Sequence, residues 1–126
     1  MRELLARASR RDVEGMTALL TDDVVLDVPF REPPLRFAGR GQVGEVLAAF
    51  IGNDDSRFRS LVYTVDDVVV DPRRAVVVAQ YRSDAVVRAS GRSWGNTYVG
   101  RFDLRDGRVA RWVEWSNPTV AASDAG

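Results

Sequence analysis

The second half of the chain alternates between apolar and polar residues over three long segments, and this pattern limits the fold more than any other feature. The segments are 58–70, 75–87 and 94–115, and the last is interrupted near its middle by Asp106-Gly107. A period of two residues is typical of strands with one buried face, and Asp-Gly between two such runs indicates a hairpin. The chain therefore ends in four antiparallel strands that need a covering layer on one face.

Apolar residues at helical spacing predict that the covering layer comes from the first fifty residues. Three helices are predicted: one around residues 4–8, one that Asp12 caps, and one over 41–51. A strand over 24–30 lies between the second and third helices. This order predicts an α+β fold, a conical barrel in which three N-terminal helices pack on a curled, mostly antiparallel sheet. We expect one domain over residues 1–120 and a frayed tail over 121–126.

The chain has no cysteine and no histidine, which removes several kinds of site. Disulfides, thiolate nucleophiles, Ser-His-Asp triads and the usual zinc and haem ligands are excluded. Any acid–base chemistry must use carboxyl groups, tyrosine or arginine, and we expect no metal and no cofactor.

Charge and hydropathy exclude two classes of partner. The 18 basic and 18 acidic residues are spread along the chain and give a net charge of zero, which is not the pattern of a nucleic-acid binder. The N-terminus is amphipathic and lacks an apolar run, so we expect a cytoplasmic protein with no membrane span.

Two polar residues interrupt the apolar surface of the last hairpin, Asn96 on its first strand and Glu114 on its second. A three-residue loop over 105–107 would turn Glu114 to the same side as Tyr98, whereas a two-residue loop would turn it outward. The sequence does not decide between the two loop lengths. On the inner side, Tyr98 and Trp112 would desolvate the carboxyl group, which raises its pKa and suits it to proton transfer near neutral pH.

Three segments resemble the nuclear transport factor 2-like superfamily. They are LLTDDVVLDVPF at 19–30, the GRGQV helix start around residue 40, and GRSWGNTYVGRFDLRDGRVARWVEWSNP at 91–118. The chain is most similar there to the SnoaL-like polyketide cyclases, the ketosteroid isomerases and the limonene-epoxide-hydrolase type. The resemblance implies a cystatin-like conical fold around a small-molecule cavity, in a superfamily that holds isomerases, cyclases, hydrolases, dehydratases and binding-only domains.

Some catalytic positions of these relatives are matched and others are not. The proton-moving aspartate, the oxyanion-binding tyrosine and the protonated aspartate of the ketosteroid isomerases fall on Val28, near Leu4 and on Tyr98. With those three groups replaced, steroid isomerisation is not expected.

The epoxide-hydrolase type is matched better. Its Arg-x-Asp pair resembles Arg82 and Asp84, its second catalytic aspartate resembles Glu114, and its water-holding asparagine resembles Asp27, while Val25 stands where it has a tyrosine. The resemblance implies a catalytic set of Glu114, Asp84, Arg82 and Asp27. Alternation alone would instead leave Arg82 and Asp84 on a solvent-exposed stripe, and Asp27 could bond a loop amide.

The remaining candidates are expected to line the substrate cavity, and each also fits a plain role in the core. They are Trp94, Asn96, Tyr98, Phe102, Trp112, Phe30, Phe50 and Tyr63. A buried amide must be hydrogen-bonded, and Asn96 could meet that need through the hairpin backbone alone. The outward residues of the last strands are apolar for a solvated face and suggest a homodimer through the outer sheet face; they are Val99, Val109, Val113 and Trp115.

Two classes of function fit these features. The first is a cofactor-free acid–base enzyme acting on a small, largely apolar metabolite of polyketide or terpenoid type, such as a SnoaL-like cyclase in natural-product biosynthesis, including ring closure by epoxide opening. Epoxide hydrolysis, isomerisation and dehydration stay open, because each needs one proton removed and one delivered in a dry pocket. The second is a non-catalytic domain that binds a hydrophobic ligand or serves as a dimeric accessory unit.

Overall fold

A computed structural model describes residues 1–52 and 58–123, and its centre is one mixed sheet. The six strands are β1 (Leu20–Val28), β2 (Leu35–Ala38), β3 (Phe58–Asp71), β4 (Val76–Val87), β5 (Ser93–Arg105) and β6 (Arg108–Ser116). They lie in the order β2-β1-β6-β5-β4-β3. Only β1 and β6 run parallel, and the other neighbouring pairs are antiparallel. The predicted α+β class with a curled, mostly antiparallel sheet is confirmed.

The three predicted N-terminal helices are present as α1 (Arg2–Ser9), α2 (Val13–Thr17) and α3 (Arg40–Leu47). The third continues into a π-helical turn, Ala48–Gly52. Asp12 caps α2 as expected, since its carboxylate accepts a hydrogen bond from the Gly15 N–H at 2.9 Å.

One boundary and two elements differ from the prediction. β1 begins at Leu20 rather than at residue 24, because Leu20 pairs with Val109 of the sheet instead of continuing α2. β2 was not predicted, since four residues are too few to show a period. A fourth helix, α4 (Pro118–Ser123), occupies the start of the predicted tail, and residues 124–126 lie outside the described range.

The helices cover the concave face of the sheet, with α1 against β3 and α3 against β1. Their apolar sides supply the fully buried Leu4, Met16 and Val43, which belong to one core with Phe58 and Phe102 of the sheet. This arrangement fills one half of the concave face. The other half, between α3 and the strands β1, β2, β5 and β6, stays hollow.

The hairpin between β5 and β6 decides which way Glu114 points. Its loop has two residues, Asp106 and Gly107, both with positive φ, as in a type I′ turn. Of the two loops that the sequence left open, the two-residue loop is the one present. A β-bulge at Ala110 then adds one unpaired residue to β6, so that Glu114 pairs with Gly100 and faces inward after all.

Candidate active site

The hollow half of the barrel is a cavity of about 300 Å³, at the small end of the range for small-molecule sites. Helix α3 and its π-helical turn form one wall and the strands form the others. The apolar lining residues are Leu26, Val28, Leu35, Phe37, Val46, Leu47, Phe50, Trp94 and Trp112, and the polar ones are Arg31, Tyr63, Asn96, Tyr98, Glu114 and Ser116.

Among the described residues that line this cavity, Glu114 is the only acidic one. Burial raises the pKa of its carboxyl group from 4.5 to about 7. One carboxylate oxygen accepts a hydrogen bond from the Tyr81 hydroxyl, which lowers the pKa by less than burial raises it. In the described part of the chain Glu114 has no arginine partner, so its charged form is not neutralised.

Gly100 makes room for the contact between Tyr81 and Glu114. A Cβ atom at Gly100 would lie 2.8 Å from Tyr81 Cε1 and 2.9 Å from the Tyr81 hydroxyl oxygen, which is closer than Cβ atoms approach in proteins. Trp112 Nε1 also lies within hydrogen-bond reach of the same hydroxyl oxygen and donates to it at 3.4 Å. Tyr81 is thus held between Trp112 and Glu114 in a buried chain of hydrogen bonds.

A second hydroxyl pair lies beside this chain. The hydroxyl oxygens of Ser83 and Tyr98 are 2.7 Å apart, and the rings of Tyr98 and Tyr81 stack with centroids 5.1 Å apart. Burial and the nearby Glu114 charge raise the pKa of Tyr63, Tyr81 and Tyr98 above the ordinary tyrosine value. All three phenols therefore stay protonated at physiological pH and can act as hydrogen-bond donors.

Known proteins share this architecture. Residues 1–112 match the sequence profile of the SnoaL-like domain. The chain belongs to the SnoaL-like family. A sequence relative is the uncharacterised protein YesE of Bacillus subtilis (strain 168), 22% identical over 122 residues that make up 95% of this chain and 80% of YesE.

Solved structures similar to this SnoaL-like domain carry several different activities in their descriptions. A candidate isomerase from Bacillus subtilis aligns with a TM-score of 0.84 at 22% identity, over 97% of this chain and 86% of the other. An LEH-like epoxide hydrolase from M. tuberculosis aligns with 0.77 at 17% identity, over 97% and 83%. A candidate polyketide cyclase from Xanthomonas campestris pv. campestris aligns with 0.76 at 22% identity, over 99% and 93%. At these identities the likeness establishes the fold alone.

The four residues predicted to be catalytic do not lie together in the structure. Arg82 and Asp84 point to the outer face of β4, because Tyr81 and Ser83 take the inner positions. Arg82 Nε lies 3.5 Å from Asp66 Oδ1 there, and both side chains are about half exposed. The predicted cluster of two acids around an arginine is therefore not formed with Glu114.

Asp27 also lies on the outer face and not in the cavity, where Leu26 and Val28 of the same strand are found. Its carboxylate oxygens lie 3.5 Å from Arg36 Nη1 and 3.7 Å from Arg111 Nη2. Successive side chains of a strand point to opposite faces of the sheet, so Asp27 faces away from the cavity that its neighbours line.

Most of the predicted lining residues do line the cavity, namely Trp94, Asn96, Tyr98, Trp112, Phe50 and Tyr63. Phe102 does not, because it is fully buried in the core behind the cavity. Phe30 is 55% exposed and borders a shallow groove on the outer face beside Trp115. Val109, expected on the outer face, belongs to the core because the bulge at Ala110 follows it.

Asn96 has a structural role, because its side-chain amide is hydrogen-bonded to the backbone around the hairpin. Its side-chain oxygen accepts from the N–H of Thr97 at 2.8 Å and of Asn117 at 3.2 Å, and its Nδ2 lies 3.4 Å from the Asn117 carbonyl oxygen. These bonds attach the end of β6 to β5 and satisfy the buried amide without a ligand.

Sequence reasoning missed Tyr81, Ser83 and Arg31 at this site. The alternation of β4 places Tyr81 and Ser83 on the opposite face from Arg82 and Asp84, and the structure shows the alternative in which Arg82 and Asp84 form the solvent-exposed stripe. Arg31 follows β1 in a proline-rich loop, where no periodic signal exists.

The described residues show no cluster of three or more His, Cys, Asp or Glu side chains able to hold a metal ion. Within the same ranges, no helix combines the length and apolar character needed to cross a membrane.

Proposed function

We propose that this SnoaL-like domain is an enzyme that moves a proton on a small, largely apolar metabolite, with Glu114 as the acid and base. The reaction that fits best is ring closure next to a carbonyl group, a cyclase activity. One observation carries the proposal: Glu114 lines an apolar cavity without a cationic partner, so both its protonated and its ionised form are present near pH 7.

The proposed reaction needs one group that takes a proton and returns it. Ionised Glu114 removes a proton from a carbon next to a carbonyl group, and the enolate attacks a second carbonyl of the same molecule. A carbon–carbon bond forms, and protonated Glu114 delivers its proton to the new alkoxide. Substrate and product are isomers, so the cycle needs no co-reactant.

The tyrosines around Glu114 have separate proposed roles in this cycle. Tyr81 donates to the carboxylate and fixes its orientation, so we regard it as a positioning residue. Tyr63 lines the cavity, stays protonated and can donate a hydrogen bond to the developing enolate oxygen.

Epoxide opening is supported less well than proton transfer. The residues that the resemblance implies for it beside Glu114, Arg82 and Asp84, lie on the opposite face of the sheet. Isomerisation by removal and return of one proton is the second candidate, since a single carboxyl group suffices for it.

The binding-only alternative predicts two things, that an arginine satisfies Glu114 and that no further acids converge on the cavity. The second agrees with the described lining, in which Asp27 and Asp84 are not found. The first does not. The described residues offer Glu114 a tyrosine hydroxyl instead. This supports an enzyme, because a domain that only encloses an apolar ligand gains nothing from a desolvated carboxyl group.

We also propose that the protein is a homodimer through the outer sheet face. Val99 is 37% exposed at the centre of that face, with Trp115 opposite it on β6. The variant Val99→Asp should then sediment as a monomer at concentrations where the wild type is a dimer. Equal masses for both would contradict the proposal.

The enzymatic proposal is tested by exchange of α-protons for deuterium in 2-tetralone, a small bicyclic ketone, followed by NMR in D2O. The wild type should accelerate the exchange over buffer, and Glu114→Gln should lose about 100-fold or more of the rate. Asp84→Asn is the matched control, since it removes a carboxyl group from the outer face. Equal rates for wild type and Glu114→Gln would contradict the proposal.

A further inference from the structure

Among the described residues of the cavity lining, the only cationic side chain is Arg31, which is also the only exposed one. It therefore marks the mouth of the cavity. No hydrogen bond or ion pair connects the Arg31 side chain to another residue of the described chain.

Arg31 and Glu114 line one cavity without touching. Their charged atoms make no ion pair within 4.0 Å. Consistent with this, the pKa of Glu114 is set by burial and by Tyr81, and no cation contributes to it. The positive and negative groups thus act on different parts of whatever fills the cavity.

A second donor in the same lining also has no acceptor. Trp94 lines the cavity, and its indole Nε1 is buried without a hydrogen-bond partner in the described residues. Buried donors are rarely left unpaired, so an unpaired one in a cavity wall points to an oxygen atom of a ligand. Both free donors therefore call for a ligand that carries oxygen acceptors besides its apolar body.

We propose that Arg31 determines substrate specificity by binding an anionic oxygen group, a carboxylate or an ionised phenol, at the end of the substrate that stays at the cavity mouth. This inference rests on the proposed function and adds the substrate class: an apolar body that reaches Glu114 and an acidic group that remains with Arg31. The guanidinium provides several N–H donors for such an oxygen pair, and a charged partner makes these hydrogen bonds stronger than neutral ones.

The test compares two fluorescent probes that differ in one charge. 8-Anilinonaphthalene-1-sulfonate carries an anionic group, and N-phenyl-1-naphthylamine has the same rings without it. Arg31→Gln should weaken binding of the sulfonate probe about tenfold and leave the Kd of the neutral probe within about twofold. Raising the salt concentration should weaken sulfonate binding to the wild type more than to Arg31→Gln.

Two further variants locate the effect. Arg36→Gln removes an arginine from the outer face, where it lies near Asp27, and should change neither Kd. Val46→Trp should fill the cavity and weaken both probes, which shows that they bind inside it.

The inference is overturned if Arg31→Gln changes both probes equally or neither, or if Arg36→Gln has the same effect as Arg31→Gln. These results would not contradict proton transfer by Glu114, because that proposal is tested separately by the deuterium exchange. A wild type that binds neither probe would overturn the cavity itself, and the proposed function with it.

Discussion

The two faces of the sheet give a carboxyl group opposite environments, as Asp27 on β1 and Glu114 on the neighbouring β6 show. Asp27 lies on the outer face between Arg36 and Arg111. Glu114 faces the cavity, where its neighbours are aromatic rings and one tyrosine hydroxyl. On the outer face a charge is balanced by another charge, whereas on the inner face it is desolvated and becomes a group that titrates near pH 7.

The largest expected effect comes from removing the desolvated charge. The pKa of Glu114 is raised from 4.5 to about 7, so between these values the unfolded chain releases a proton that the folded protein keeps. Stability falls across that window as pH rises, by about 3 to 3.5 kcal/mol in total. Glu114→Gln should therefore be about 3 kcal/mol more stable than the wild type at pH 8 and nearly equal at pH 4.

Urea unfolding at pH 4, 6 and 8, followed by tryptophan fluorescence, measures this difference. The control Asp84→Asn removes an exposed carboxyl group and should stay within about 0.5 kcal/mol of the wild type at each pH. Identical pH dependence for Glu114→Gln and the wild type would mean that the two faces do not differ as described.

A smaller effect is expected from removing the hydrogen bond that partly offsets the effect of desolvation on the pKa of Glu114. The Tyr81 hydroxyl stabilises the ionised carboxylate, so Tyr81→Phe should raise the pKa of Glu114 above 7 and cost about 1 kcal/mol of stability at pH 8. The pH profile of deuterium exchange should shift upward with it. Tyr63→Phe is the control, because it removes a neighbouring phenol and keeps the bond from Tyr81 to Glu114. A shift in both variants, or in neither, would argue against Tyr81 as a positioning residue.

The smallest effect is expected on the outer face. Arg82 and Asp66 form an ion pair with both side chains about half exposed, and such pairs contribute little. Arg82→Gln should change the free energy of unfolding by less than about 0.5 kcal/mol and leave the pH profile of exchange where it is. A large loss of exchange activity in this variant would reinstate Arg82 as a catalytic residue.

The sequence predicted the layers of the fold because apolar periodicity reports which residues face the core. It also placed Glu114 beside Trp112 and Tyr98, and the aromatic face of β5 lines the cavity as expected. The sequence left the direction of Glu114 open between two loop lengths, and neither length alone explains it, since the loop has two residues and a bulge at Ala110 then turns Glu114 inward. A bulge leaves no periodic mark in a single strand of nine residues.

Alternation divides a strand into two faces without saying which face is inside. On β4 this ambiguity left two placements open for Arg82 and Asp84, and the structure puts Tyr81 and Ser83 on the inner face instead. Tyr81 pairs with Tyr98, and its ring occupies the space that the missing side chain of Gly100, the partner of Ala79, leaves free. Arg31 could not be found in this way, since its loop has no period.

The most direct test of the account is the pKa of Glu114 itself. Glutamate labelled with 13C at the carboxyl carbon can be titrated by NMR, and Glu114→Gln identifies the signal by its absence. The account predicts a midpoint near 7 for this signal. A midpoint near 4.5 would show that the carboxyl group is solvated like any surface acid, and would contradict both the dry cavity and the proton-transfer function.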